Sequence, residues 1–110
     1  MEHVVYYVPN VDVYSRKAWD IKTQYTDLMD NLELRKSKSQ IYVCIGKITS
    51  IETTKPQRAF MNVGTEESPL LIYVENSSRT EWVEGENYRL YGDAYGMYDS
   101  KPWLIVRYTY

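Results

Sequence analysis

Hydrophobic and polar positions follow two periods along this chain. Between Trp19 and Leu34 the apolar residues Ile21, Tyr25, Leu28, Met29 and Leu32 recur at i, i+4, i+7, i+8 and i+11. That series lies on one side of a 3.6-residue helix. Asp20, Lys22, Thr23, Gln24, Asp27, Asp30 and Asn31 fill the other side. Ser15 stands where a cap is wanted, and Lys36 and Lys38 suit the negative C-terminal end. The spacing predicts one amphipathic helix over 19–34.

From Ser39 onward the period is two. Ile41, Val43 and Ile45 alternate with Tyr42 and Cys44, then Gly46 interrupts ahead of Ile48 and Ile51. A second run over 58–63 sets Met61 and Val63 against Phe60 and Asn62. The polar turn 64–69 precedes a third strand at 70–74, and a loop at 75–78 leads to Trp82 and Val83. Gly85-Glu86 opens a fourth strand over 88–95, broken at Gly92, and a turn at 99–102 opens the fifth, 103–110. Short connections argue against βαβ crossovers and leave a sandwich or a small barrel. One glycine inside each of the first and fourth strands favours the barrel, because strands shared by both halves of a closed sheet must bend. Ahead of the helix, His3–Val8 is β-prone and is stopped by the turn pair Pro9-Asn10, which suits a short edge strand as well as an extended arm.

These patterns predict a mainly β chain. Its centre is a five-stranded antiparallel OB-type Greek-key barrel over 39–110, preceded by one amphipathic helix (19–34) and an extended N-terminal arm (1–14). The whole forms a single domain over 1–110.

Composition agrees with that outline. A chain of 110 residues supports one domain with one modest core and needs no staple. With 44% hydrophobic and 25% charged residues it has enough apolar surface to offset the entropy of ordering. Twelve tyrosines stand against a single phenylalanine, which suits sheet faces that are half wet. The net charge of −2 leaves no global basic footprint for nucleic acid, although a local stripe is compatible with it. Cys44 is the single cysteine, so no intrachain disulfide forms. No apolar run reaches the roughly 18 residues of a membrane helix, and residues 1–7 lack the features of a signal peptide. Met1 as the native start implies a cytoplasmic protein, whereas a trimmed fragment would belong outside the cell or on its surface.

Four segments carry a family resemblance. Tyr25-Thr26-Asp27-Leu28 with Asn31 resembles a helix that precedes a barrel, and Val43-Cys44-Ile45-Gly46-Lys47-Ile48 resembles an "apolar-x-apolar-Gly-Lys-Val" first strand. Glu84-Gly85-Glu86 with Leu90-Tyr91-Gly92 is similar to a "Glu-Gly-Asp…Val-Tyr-Gly" fourth strand, and Tyr98 with Lys101-Pro102-Trp103-Leu104 to a closing "Tyr…Pro-x-Ile" strand. Together they resemble the tRNA-anticodon-binding-like OB domains of small bacterial proteins and lipoproteins. The resemblance spans roughly the last three quarters of the chain, and its segments follow one another in the order that such a barrel requires. It implies a fold more than a function, since OB barrels serve nucleotide, sugar and peptide ligands alike.

Catalytic chemistry has little to draw on. His3, in the arm, is the single histidine, so no Ser/His/Asp or Cys/His set can be assembled without it. Cys44 reads as a small buried hydrophobe. Glu66-Glu67 and Asp93 with Asp99 read as solvated turn acids, since their spacing matches no calcium or zinc site. No cofactor, metal or catalytic residue is expected.

A binding role is better founded. In this fold the face of the second and third barrel strands is the usual platform, and alternation places Arg58, Phe60, Asn62, Leu71 and Tyr73 there, with Tyr42 and Lys47 beside them. Aromatic rings flanked by cations suit stacking and phosphate contact. The same face also suits burial beneath the helix stripe, and the sequence leaves both uses open. A non-enzymatic binding or protein-interaction module is the first expectation, with a protein or small oligomeric ligand as partner. Single-stranded nucleic-acid binding is the alternative. Strand addition by Val4–Val8 would give a homo-oligomer.

Overall fold

A computed structural model describes residues 7–110. In chain order it contains α1 (Tyr7–Arg16), the two-residue strand β1 (Trp19–Asp20), α2 (Tyr25–Asp30) and α3 (Leu32–Ser37). Five longer strands follow: β2 (Ile41–Thr54), β3 (Gln57–Asn62), β4 (Leu71–Asn76), β5 (Asn87–Tyr98) and β6 (Lys101–Thr109). The sheet order is β1-β2-β3-β4-β6-β5, and β5 pairs back onto β2. Strands β2 to β6 thus close an OB-type barrel. All of its pairs are antiparallel except β4 with β6, which run parallel.

The two interior glycines stand where the barrel turns. Strand β2 pairs with β5 over Ile41–Lys47 and with β3 from Lys47 onward, so Gly46 sits at the handover. A Cβ at Gly46 would collide with the carbonyl oxygen of Asn62. A Cβ at Gly92 would collide with that of Ile105, beside a register shift between β5 and β6. At both places backbone takes the room that a side chain would need.

Ile48, Met61, Ile72, Leu90, Leu104 and Val106 fill the interior, all fully buried. The two open ends are closed differently. Ile21 and Leu28 are fully buried, with Tyr25 and Leu32 partly buried against the same core, and the Tyr25 hydroxyl donates to the Leu71 carbonyl at the start of β4 (2.9 Å). Near the other end of β4, Trp82 from the β4–β5 loop is buried. Its backbone N–H donates to Gln57 Oε1 (2.8 Å), Gln57 Nε2 donates to the Trp82 carbonyl (2.9 Å), and its indole N–H donates to Thr109 Oγ1 (3.1 Å).

The segment ahead of the barrel corrects two expectations. The single helix over 19–34 is instead β1, a turn and two short helices that run on to Ser37. Trp19 and Asp20 pair in parallel with Tyr42 and Val43, which fixes them as extended backbone. Asn31 then breaks the remainder, adopting a non-helical conformation while its side chain donates to the Asp27 carbonyl and carboxylate. Asn competes for backbone partners in this way, which suits it to helix ends. Four of the five stripe residues, Ile21, Tyr25, Leu28 and Leu32, still face the core, and Met29 is not among the side chains packed against it.

The extended arm over 1–14 is also revised, because Tyr7–Arg16 is helical. Pro9 lies in the first turn of α1, where its missing N–H costs nothing. Residues 1–6, including His3 and most of the Val4–Val8 run, lie outside the described residues. Tyr14 anchors α1 to the barrel. Its hydroxyl donates to Asp93 Oδ1 (3.1 Å), and its ring meets Tyr108 edge-on at 5.2 Å.

Candidate functional site

The face predicted from alternation is present on the outside of β3 and β4. Phe60 pairs with Tyr73, Arg58 with Glu75 and Asn62 with Leu71, while Ala59, Met61, Ile72 and Val74 point inward and are buried. The β5–β6 hairpin extends this face. Its loop is only Asp99-Ser100, both at positive φ (52° and 62°), as a two-residue turn that matches strand twist requires. Tyr98 and Lys101 are therefore paired strand residues, where a longer turn over 99–102 was expected.

The hairpin brings its rings onto those of β3 and β4. Tyr98 stacks on Tyr73 with centroids 4.2 Å apart and planes at 26°. Phe60 meets Tyr73 at 5.1 Å, Trp103 meets Tyr73 edge-on at 5.2 Å, and Tyr95 meets Trp103 at 4.9 Å. Tyr73 is nearly buried by this packing, and burial, ahead of the neighbouring Tyr98, pushes its hydroxyl pKa up. Tyr95 and Tyr98 stay about half exposed, at 48% and 43%. The result is a rigid aromatic floor with a wet upper surface.

Cations stand on the same rings. The Arg58 guanidinium lies 5.4 Å from the Trp103 centroid, the Lys101 ammonium 5.8 Å from Phe60 and the Lys36 ammonium 5.4 Å from Tyr95. Two of the three are already neutralised. Arg58 Nε donates to Glu75 Oε1 at 2.9 Å, and Lys101 lies 3.5 Å from Asp99. Lys47, at the margin, lies 3.9 Å from Glu66. The electrostatic character of the face is close to balanced.

Of the seven residues expected there from sequence, the structure brings together Arg58, Phe60 and Tyr73, and Leu71 lies partly buried opposite Asn62 at the end of the face. Asn62 lies at the end of the face with its side chain engaged in the β3–β4 loop: Oδ1 accepts from the N–H groups of Gly64 and Leu70 (both 2.9 Å), and Nδ2 donates to the Thr65 carbonyl. Lys47 is exposed beside that loop. Tyr42 corrects its expected placement. It is wholly buried in the core, on the opposite side of β2 from the outer surface. Ile41 and Val43 are half buried on that outer side, so both faces of the strand are apolar and alternation could not fix which one points inward. Tyr95, Tyr98, Lys101 and Trp103 were missed as members of the face. Their aromatic density was visible, but no periodicity reports that β6 pairs with β4.

Elsewhere the chemistry is quiet. Cys44 is fully buried, and burial, with Asp20 nearby, pushes its thiol pKa well up and away from the reactive thiolate. Among the described residues no three His, Cys, Asp or Glu side chains stand close enough to share a metal ion. No helix of the described residues is long and apolar enough to cross a membrane. A scan against protein-family models and a search of the curated proteins each find no match to this chain.

Proposed function

We propose that this protein is a non-enzymatic binding module of the anticodon-binding-like OB type that holds a protein segment of low charge on the aromatic face of β3, β4, β6 and β5. The observation that carries this reading is the charge pairing. A single-strand binder needs cations free to release counterions from phosphates, whereas Arg58, Lys101 and Lys47 each have a carboxylate within 4 Å, which leaves Lys36 as the one cation over these rings without such a partner among the described residues. What remains exposed is Tyr95 and Tyr98 over a rigid base. Rigid amphipathic rings of this kind give contact area at small entropic cost and are enriched at protein interfaces. The opposing reading, single-stranded nucleic acid, draws on the alternation of rings and cations at Phe60, Tyr73, Arg58 and Lys101. Self-association by strand addition over Val4–Val8 has lost part of its basis, because Tyr7 and Val8 belong to α1.

A fluorescence titration with a labelled single-stranded oligothymidylate separates the two readings. The proposal expects no steeply salt-dependent binding. Micromolar affinity that collapses between about 50 and 200 mM salt, by the orders of magnitude expected of several phosphate contacts, would overturn it.

A further inference from the structure

A second site lies away from the aromatic face, in an open hollow of about 400 Å³ between the end of α1, the end of α3 and the start of β2. That volume falls within the range of small-molecule sites. Arg16, Lys17 and Lys38 line it together with Trp19, and among the described residues no carboxylate lies in its walls. Cations gather here because two helices end here, where the terminal carbonyl groups favour positive charge. Arg16 shares its charge with Asp12 at 3.4 Å, in a pair that is largely exposed. Lys17 and Lys38 have no carboxylate within 4 Å among the described residues. On a chain of net charge −2, the side chains of this hollow carry a surplus of positive charge, part of which the carbonyl ends of α1 and α3 offset.

The hollow also has a braced aromatic wall. The Arg35 guanidinium lies 4.9 Å from the Trp19 ring centroid and is itself held by two hydrogen bonds to Asp27 (2.8 and 3.0 Å). Tyr42 meets the same indole edge-on, at 6.2 Å and 89°. Trp19 nevertheless keeps 37% of its surface exposed. Gln40 ties the walls together, since its Nε2 donates to the Lys17 carbonyl (3.4 Å) and the Ile41 carbonyl (3.1 Å).

We infer that this hollow is a binding site for a small phosphate-bearing molecule with a planar ring, the phosphate lying among Lys17, Lys38 and Arg16 and the ring against Trp19. Charge-assisted hydrogen bonds hold the phosphate, and stacking on a fixed indole selects the ring.

The test is an amide and indole NMR titration of the full chain with AMP, inorganic phosphate and adenosine at low salt. The expected result is movement of the Trp19 indole signal and of the Lys17 and Lys38–Ile41 amides with AMP. Phosphate alone should bind several-fold more weakly and leave the indole in place. Lys17→Glu with Lys38→Glu, both at exposed positions, should weaken AMP binding by about tenfold or more, and Trp19→Ala should bring AMP down to the level of phosphate. The inference is overturned if about 10 mM AMP, enough to reveal a millimolar site, leaves these signals unmoved or moves a different set. Equal binding by the double variant would overturn it as well.

Discussion

Tyr42 shows how one residue can be recognised by type and misread by side. A tyrosine between Ile41 and Val43 suggests a wet outer position, yet it is wholly buried and its hydroxyl has no hydrogen-bond partner among the described residues. Burial is the main reason its pKa is pushed up to about 12. An unmade buried hydrogen bond is costly, so removing the hydroxyl while keeping the ring should be neutral or favourable. Tyr42→Phe is therefore expected to keep or raise the urea midpoint, and a loss above about 1 kcal/mol would show that the hydroxyl is satisfied. Gly46 makes the opposite case. Its place was legible as a break in alternation, and the structure supplies the reason, a carbonyl where a Cβ would go. Gly46→Ala should cost about 1–3 kcal/mol by overpacking, read by the same denaturation with the slope unchanged.

At the level of elements, periodicity found the strands and misjudged what precedes them. The core stripe Ile21, Tyr25, Leu28 and Leu32 was visible because burial imposes it. That it spans a strand residue's neighbour and two helices was not, because pairing of Trp19 and Asp20 with β2 is a long-range event. Helix α1 was hidden by Pro9, which reads as a breaker unless the helix start is known. The α2–α3 corner depends on Asp27, whose carboxylate accepts two hydrogen bonds from Arg35. The Arg35 hydrogen bond is the chief cause holding the Asp27 pKa below its usual value. A carboxylate depressed in the folded state stabilises it above the unfolded pKa of about 3.9, and that contribution is lost as pH falls through the folded value. Asp27→Asn should therefore flatten the stability profile as pH falls below about 4, followed by thermal unfolding at a series of pH values. An unchanged acid slope would remove the pair from the account.

For the molecule as a whole, the barrel followed from chain order and glycine placement, whereas the composition of its aromatic face did not. Arg58, Phe60 and Tyr73 were within reach of alternation on two adjacent strands. Tyr98, Lys101 and Trp103 joined them only through the parallel β4–β6 pairing and a two-residue turn. The charge balance depends on contacts such as Arg58 with Glu75, which lie 17 residues apart in sequence. A nearly neutral face with rings exposed is what separates a protein-binding module from a single-strand binder. The most direct measurement is selection of short random peptides by display against the full chain, followed by their affinities for the wild type and for Tyr98→Ser at low and high salt. The expected peptides are of low charge, with an affinity that changes less than about twofold with salt and falls about tenfold or more in Tyr98→Ser, as loss of a central aromatic contact implies. Peptides that bind Tyr98→Ser as well as the wild type, or that are uniformly acidic and released by salt, would contradict the proposal.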